Sequence, residues 1–382
     1  MKLAVSPLVL VVLLIACISE SGTTPTPTPV TPTSEFLQVS AGAEYTCGVT
    51  DAETYCWGSN GGGQLGDGTF DNRLVPTAVK GASIFTMITT SAENTCGITA
   101  ARSAYCWGSN LEGEIGDGTL EQHVMPTPVA GGIRFSQISV GGLHTCGVAE
   151  NGDAYCWGGN DYGQLGDNSA TAKFSPTRVA GGLKFIQVSA GTYHSCGVTT
   201  DNRAYCWGSN SNGGLGNGTT DRELTPKRVN TNLIFREVIA AEEFTCGVTI
   251  TSIAYCWGFN ANGQLGDGTT DSRFEPTRIA GSLIFTRVSP GFGHTCGLTV
   301  TRAVYCWGFN GNGRLGDGTT TQRLTPMPVA GNLSFLLVTA GFAHTCAIST
   351  DNITYCWGWN ERGQLGDGTT ADRHVPTVVS QP

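Results

Sequence analysis

From about residue 36 onward, short runs rich in Val, Ile, Phe, Tyr and Trp follow one another, each closed by Gly, Asn or Asp. Around residue 200 they read "FIQVSAG", "HSCGVTT" and "RAYCWG", and a fourth run of the type "PTRVAG" completes the unit. Runs of this length between turn formers predict β-strands rather than helices. A Trp-Gly pair marks the phase at Trp57, Trp107, Trp157, Trp207, Trp257, Trp307 and Trp357, a period of fifty. Four short strands in a repeated unit of this size form the pattern of a propeller blade.

The two central runs predict a hairpin. In "CGVAENGDAYC" a three-residue loop, Glu150-Asn151-Gly152, puts Gly where a type I turn with a bulge needs a left-handed residue. Pairing outward sets Gly147 opposite Tyr155 and Cys146 opposite Cys156. The first repeat, "CGVTDAETYC", has a two-residue loop, Asp51-Ala52, and its shorter spacing again sets Cys47 opposite Cys56. At a non-hydrogen-bonded pair the Cα atoms approach to ~4.5 Å, close enough for a bridge. The register therefore predicts seven local disulfides: Cys47–Cys56, Cys96–Cys106, Cys146–Cys156, Cys196–Cys206, Cys246–Cys256, Cys296–Cys306 and Cys346–Cys356. Zinc sites favour closer Cys pairs with four converging ligands, so metal binding is the weaker reading.

The same pairing sorts the faces. Tyr155 and Trp157 project to one side, with Tyr155 expected across Gly147, and Cys146, Cys156 and Val148 project to the other. A bulky face and a flat face suit packing of each blade's bulky side into the next blade. The Leu of "GQLGDG" (Leu65, Leu165, Leu215, Leu265, Leu315 and Leu365, with Ile115 in the second repeat) is expected to plug the core of the long loop.

The phrase "HTC.V…G..YCWG.N..GQLGDGT….PT.V" resembles the repeat of the regulator-of-chromosome-condensation family over residues 36–382. The resemblance implies an all-β fold, a seven-bladed β-propeller with four antiparallel strands per blade; the cysteines add one hairpin disulfide to each. The body starts on the first run of a unit and ends on the fourth, so the ring is expected to close without a shared blade. The founding member is an exchange factor for the Ran GTPase and binds chromatin. A secreted inhibitor of beta-lactamase that is similar to this family binds its target through loops on one propeller face.

Composition narrows the setting. The chain has 54 Gly among 382 residues, 13% charged residues and a formal net charge of −9. This excludes the clustered Lys and Arg that nucleic acid needs, and exchange activity on a nuclear GTPase is not expected. Residues 1–16, "MKLAVSPLVLVVLLIA", read as a signal peptide. "LIAC" resembles the bacterial lipoprotein signal, which makes Cys17 a candidate lipidation site, with a soluble secreted protein as the alternative. Residues 17–35 then form a Thr/Pro-rich linker, extended at ~3.1 Å per residue. Export to the cell envelope or surface also suits the cysteines.

Chemistry is sparse. The aspartates of "GDGT" (Asp67, Asp117, Asp167, Asp267, Asp317, Asp367) lie in loops similar to calcium loops but lack the alternating oxygen ligands, so turn capping is expected. His144, His194, His294 and His344 share one position that Tyr45, Asn94 and Phe244 fill elsewhere, so structural hydrogen bonding is expected. No nucleophile elbow, phosphate-binding loop or free Cys/His pair is present, and no catalytic residue, cofactor or metal is assigned.

Positions that differ between blades are free to specify a partner. The turn between the first two strands and the residue after Trp-Gly lie at one end of the blade. There the chain has Glu44 and Glu93, Tyr193, the pair Glu242 and Glu243, and the aromatics Phe259, Phe292, Phe309, Phe342 and Trp359. The expectation is a monomeric, non-enzymatic propeller that binds a protein, or a glycan, through this patch. An inhibitor of an extracellular enzyme and a carbohydrate-binding or lyase-type propeller are the alternatives. The competing reading of the rings is that they fold inward and plug the central channel.

Overall fold

In blade three the strand His144–Ala149 pairs antiparallel with Ala154–Gly158, setting Thr145 opposite Trp157, Cys146 opposite Cys156 and Gly147 opposite Tyr155. This is the register that the loop length predicts. The structure, a computed structural model, describes residues 35–81 and 84–382. They form seven four-stranded antiparallel sheets with the strands in chain order. In blade three the first strand is Phe135–Val140 and the fourth Lys173–Arg178. The expected signal peptide, Cys17 and nearly all of the Thr/Pro linker lie outside the described residues.

All seven cysteine pairs are bonded within their own hairpins, with Cα atoms 4.0–4.1 Å apart. Blade one keeps the register despite its shorter loop. There the Thr50 hydroxyl donates to the Glu53 carbonyl and accepts from the Glu53 N–H, which closes the turn. In the longer loops the third residue is left-handed. Only blade three supplies Gly, at Gly152, while Arg102, Asn202, Ser252, Arg302 and Asn352 adopt the same conformation, one that L-residues visit uncommonly.

The two faces pack as different surfaces. Phe185 and Trp207 of blade four enter the flat face of blade three, against Cys146, Cys156, Val148 and Leu165. Each blade thus leans its bulky face on the blade before it, the reverse of the expected direction. The loop leucines are fully buried in these seams, as expected. The ring over Gly147 is Phe135, not Tyr155: a Cβ on Gly147 would lie 2.6 Å from it. Tyr155 instead meets Phe135 edge-on, with centroids 6.3 Å apart. A β-bulge is the cause. The pairing passes from Gln137 to Phe135, so the extra residue turns Phe135 onto the face that holds Ile138 and Trp157.

One carbonyl joins each pair of blades. The Gln164 carbonyl of blade three accepts the Trp207 indole N–H at 2.9 Å and the Ser195 hydroxyl at 2.8 Å, both from blade four. The loop must come very close for this, and a Cβ on Gly166 would lie 2.7 Å from the same indole nitrogen. The arrangement repeats around the ring, including blade seven to blade one, where the Gln364 carbonyl accepts Trp57 at 3.0 Å and Thr46 at 2.9 Å. The ring closes without a shared sheet, as expected.

Candidate functional site

The loop aspartates serve the scaffold. Asp67 accepts the Thr69 N–H at 3.0 Å and the Thr69 hydroxyl at 2.7 Å, and its second oxygen pairs with Arg73. Burial raises the carboxyl, but the Thr69 and Arg73 contacts outweigh it and hold Asp67 below the usual range. Arg273, Arg323 and Arg373 repeat the pair. In blade four both partners change together: Asn217 stands for Asp and Glu223 for Arg. Turn capping is therefore borne out.

The four histidines also bind the scaffold. His144 Nε2 lies 2.7 Å from the Ser195 hydroxyl of the next blade. That hydroxyl's single proton goes to the Gln164 carbonyl, so His144 donates through Nε2–H. His194, His294 and His344 repeat the bond. Burial pushes His144 down to about 3 and His194 to about 4, so both are neutral near pH 7. Among the described residues no three His, Cys, Asp or Glu side chains gather as a metal site.

The turn between strands one and two and the residue after Trp-Gly do share one end, since Ser109 N–H donates to the Glu93 carbonyl and Phe309 N–H to the Gly293 carbonyl. A cavity of about 500 Å³ opens at this end, lined by all seven blades around the axis. Phe292, Phe342, Tyr193 and Glu242 line it. The Phe292 and Phe342 rings stack with centroids 4.0 Å apart, yet each stays 40% exposed. Phe259, Phe309 and Trp359 lie outside this lining. Phe309 is 39% exposed and rests on Arg314, whose guanidinium is 4.7 Å from the ring. Arg314 also donates to the Phe342 carbonyl at 3.0 Å, and burial lowers it to about 10.

The carboxylates divide into two groups. Glu242 and Glu243 stand together in blade five, where burial and then the Glu243 charge raise Glu242 to about 7. Asn212 donates to Glu243 at 2.9 Å. Glu44 and Glu93 instead line an adjoining cleft between the first three blades, together with Glu112 and Glu114; it shares Leu143 and Phe342 with the channel cavity. Sequence reasoning missed Glu112, Glu114 and Tyr162, the ring against Tyr193 with a centroid separation of 5.2 Å. The signal was present in the loop after Trp-Gly-x-Asn. The column Gln64, Glu114, Gln164, Gly214, Gln264, Arg314, Gln364 varies in three blades.

Models described as the regulator of chromosome condensation (RCC1) repeat match residues 51–98, 103–148, 151–198, 201–254, 252–298, 303–348 and 351–382. The chain belongs to the RCC1-repeat family. A second model of this RCC1 repeat matches parts of four units, at 135–164, 185–213, 285–314 and 336–364. Comparison with curated proteins finds no match. Among solved structures, this RCC1-repeat chain is similar to Prp20p from Saccharomyces cerevisiae, with 19% identity, a TM-score of 0.77, and coverage of 91% of this chain and 88% of that one. Human WBSCR16 is similar at 19% identity and a TM-score of 0.76, covering 83% and 88%. The CRINKLY WD40 ectodomain of the Arabidopsis thaliana receptor kinase ACR4 has 19% identity and a TM-score of 0.58, covering 91% and 100%. At these identities the likeness is one of fold.

Proposed function

We propose that this RCC1-repeat propeller is a non-enzymatic binding module that engages a protein partner through the loop face around the channel mouth. The observation that carries the reading is the exposure of Phe292, Phe309 and Phe342 on that face. The residue-after-Trp-Gly column has Ser59, Ser109, Gly159 and Ser209 in blades one to four, so the scaffold has no need of a ring there. Exposed aromatic clusters are typical interaction surfaces. The Prp20p structure is described with its binding properties to Gsp1p and histones, which supports partner binding as a use of this fold. The partner class differs, because seven disulfides suit an oxidising compartment. We place the body outside the cytoplasm as a monomer, held to the membrane through acylated Cys17 at the end of the Thr/Pro linker. Inhibition of an extracellular enzyme is the narrower form of this activity.

The test is capture of the partner from the native envelope, followed by the double variant Phe309→Ser with Trp359→Ser. Binding should weaken by ~2 kcal/mol or more, as for interface anchors, while stability shifts by no more than ~1 kcal/mol. Changes at Ser59 and Ser109 should matter much less. A stability loss of ~3–5 kcal/mol in the double variant would make the rings packing elements, and binding of glycans in place of protein would overturn the partner class.

A further inference from the structure

Off the channel axis, a cleft of about 380 Å³ opens on the loop face between the first three blades. Four carboxylates line it: Glu44, Glu93, Glu112 and Glu114. Glu44 lies 3.6 Å from Arg362, and among the described residues Glu93, Glu112 and Glu114 have no cationic partner. One Glu114 oxygen accepts the Glu112 N–H at 2.9 Å, which fixes the side chain in place. Leu111, Leu143 and Phe342 supply apolar wall.

A second observation is independent of the charge. Asn94 lines the cleft, is 2% exposed, and its Nδ2 has no hydrogen-bond partner. A buried donor without an acceptor costs free energy that a bound acceptor would recover. Four other blades place His at this position and bond it to the next blade's hydroxyl. Here the Thr145 hydroxyl bonds only the Glu114 carbonyl.

The requirements are therefore a cation, an apolar stem and a hydrogen-bond acceptor. Among the described residues the carboxylates do not gather as a three-ligand metal group, so an organic cation is the better fit. Methylene stems pack on apolar walls while the charged head stays among polar groups, and an aromatic ring such as Phe342 attracts a cation. A polyamine has charge and methylenes but no carbonyl for Asn94. A basic residue in a peptide has all three.

We propose that this cleft binds a lysine or arginine side chain presented on a peptide. The charged head sits among Glu93, Glu112 and Glu114, the stem lies along Leu143 and Phe342, and a backbone carbonyl accepts from Asn94 Nδ2–H. The site does not depend on the aromatic residues of blades five and six, and its probe is a peptide rather than the captured partner.

The experiment titrates the full chain with acetyl-Gly-Lys-Gly-amide and its Arg counterpart, followed by NMR and calorimetry. Acetyl-Gly-Gln-Gly-amide and spermidine are the controls. The basic peptides should bind saturably, the Gln peptide should not, and spermidine should bind ~tenfold more weakly. Glu114→Gln restores the residue of blades one, three, five and seven, so the loop keeps its fold; it should weaken the basic peptides ~tenfold and flatten their salt dependence. Asn94→His restores the residue of blades three, four, six and seven, removes the unpaired amide donor and should weaken the basic peptides ~tenfold. The absence of saturable binding by the basic peptides would overturn the proposal. So would binding unchanged in both variants, or spermidine binding as tightly as the peptides. If Phe309→Ser with Trp359→Ser abolishes partner capture yet leaves peptide binding intact, the cleft binds independently of Phe309 and Trp359.

Discussion

The seam between blades three and four and the seam between blades two and three share one outer bond and differ in their inner one. In both, a Trp indole donates to a loop carbonyl of the preceding blade, Trp207 to Gln164 and Trp157 to Glu114, each at 2.9 Å. Toward the channel, His144 Nε2 bonds Ser195 in the first seam, whereas the Asn94 side-chain amide in the second has no partner for its Nδ2. Blade five gives a third solution, with Phe244 filling the position with fully buried apolar surface. The outer bond is the part that every seam keeps. The inner position varies, and where it falls short a polar cleft opens.

The largest expected effect tests the shared half of that comparison. Trp157→Ala and Trp207→Ala should each cost ~3–5 kcal/mol in chemical denaturation, because each empties a fully buried seam. A much smaller cost for Trp157→Ala would show that the two seams differ along their whole depth. Exchanging the inner residues gives the next largest effect. His144→Asn should cost ~2 kcal/mol, the scale of a lost buried hydrogen bond and the space left behind. Asn94→His should cost nothing and gain up to ~1 kcal/mol. Equal losses from both exchanges would mean that each residue is tuned to its own seam.

The smallest effect is one of pH. Free histidine titrates near ~6.5, while folded His144 titrates at about 3. Between those values the unfolded chain takes up a proton that the folded one refuses, so stability falls as pH drops from ~6.5 toward 3. His194 adds in the same direction down to about 4. Melting temperatures between pH 7 and 4 should decline less steeply in His144→Asn than in wild type. An identical slope would show that His144 does not hold its seam in the neutral form.

The hairpins were legible in the sequence because two loop lengths, in blades one and three, led to the same cysteine pairing, and only one register satisfies both. The flat and bulky faces followed from simple alternation along strands two and three. Phe135 escaped that logic because a bulge breaks the alternation of strand one, and nothing in "RFSQISV" marks the extra residue. The end of the blade that holds the loop face was readable from strand direction. Which rings share a space was not: Phe292 meets Phe342 across a seam, while Phe309, of the same blade as Phe292, is held outside the channel lining by Arg314. Such contacts depend on the angle between sheets, which a one-dimensional period does not encode. Glu112 and Glu114 were passed over because they lie in a loop read as scaffold, although their column varies between blades.

The carbonyl that joins blade seven to blade one receives the same two donors as every other carbonyl in the ring. No strand is exchanged there, so the position of the chain break has no special status in the architecture. Joining the ends of the body and reopening it between any two blades should yield the same molecule. For the same reason a gene of this kind can drift by copying or deleting whole fifty-residue units, because no terminal blade has to be rebuilt when the count changes. The geometric fit of the ring, rather than any dedicated clasp, then decides how many units survive.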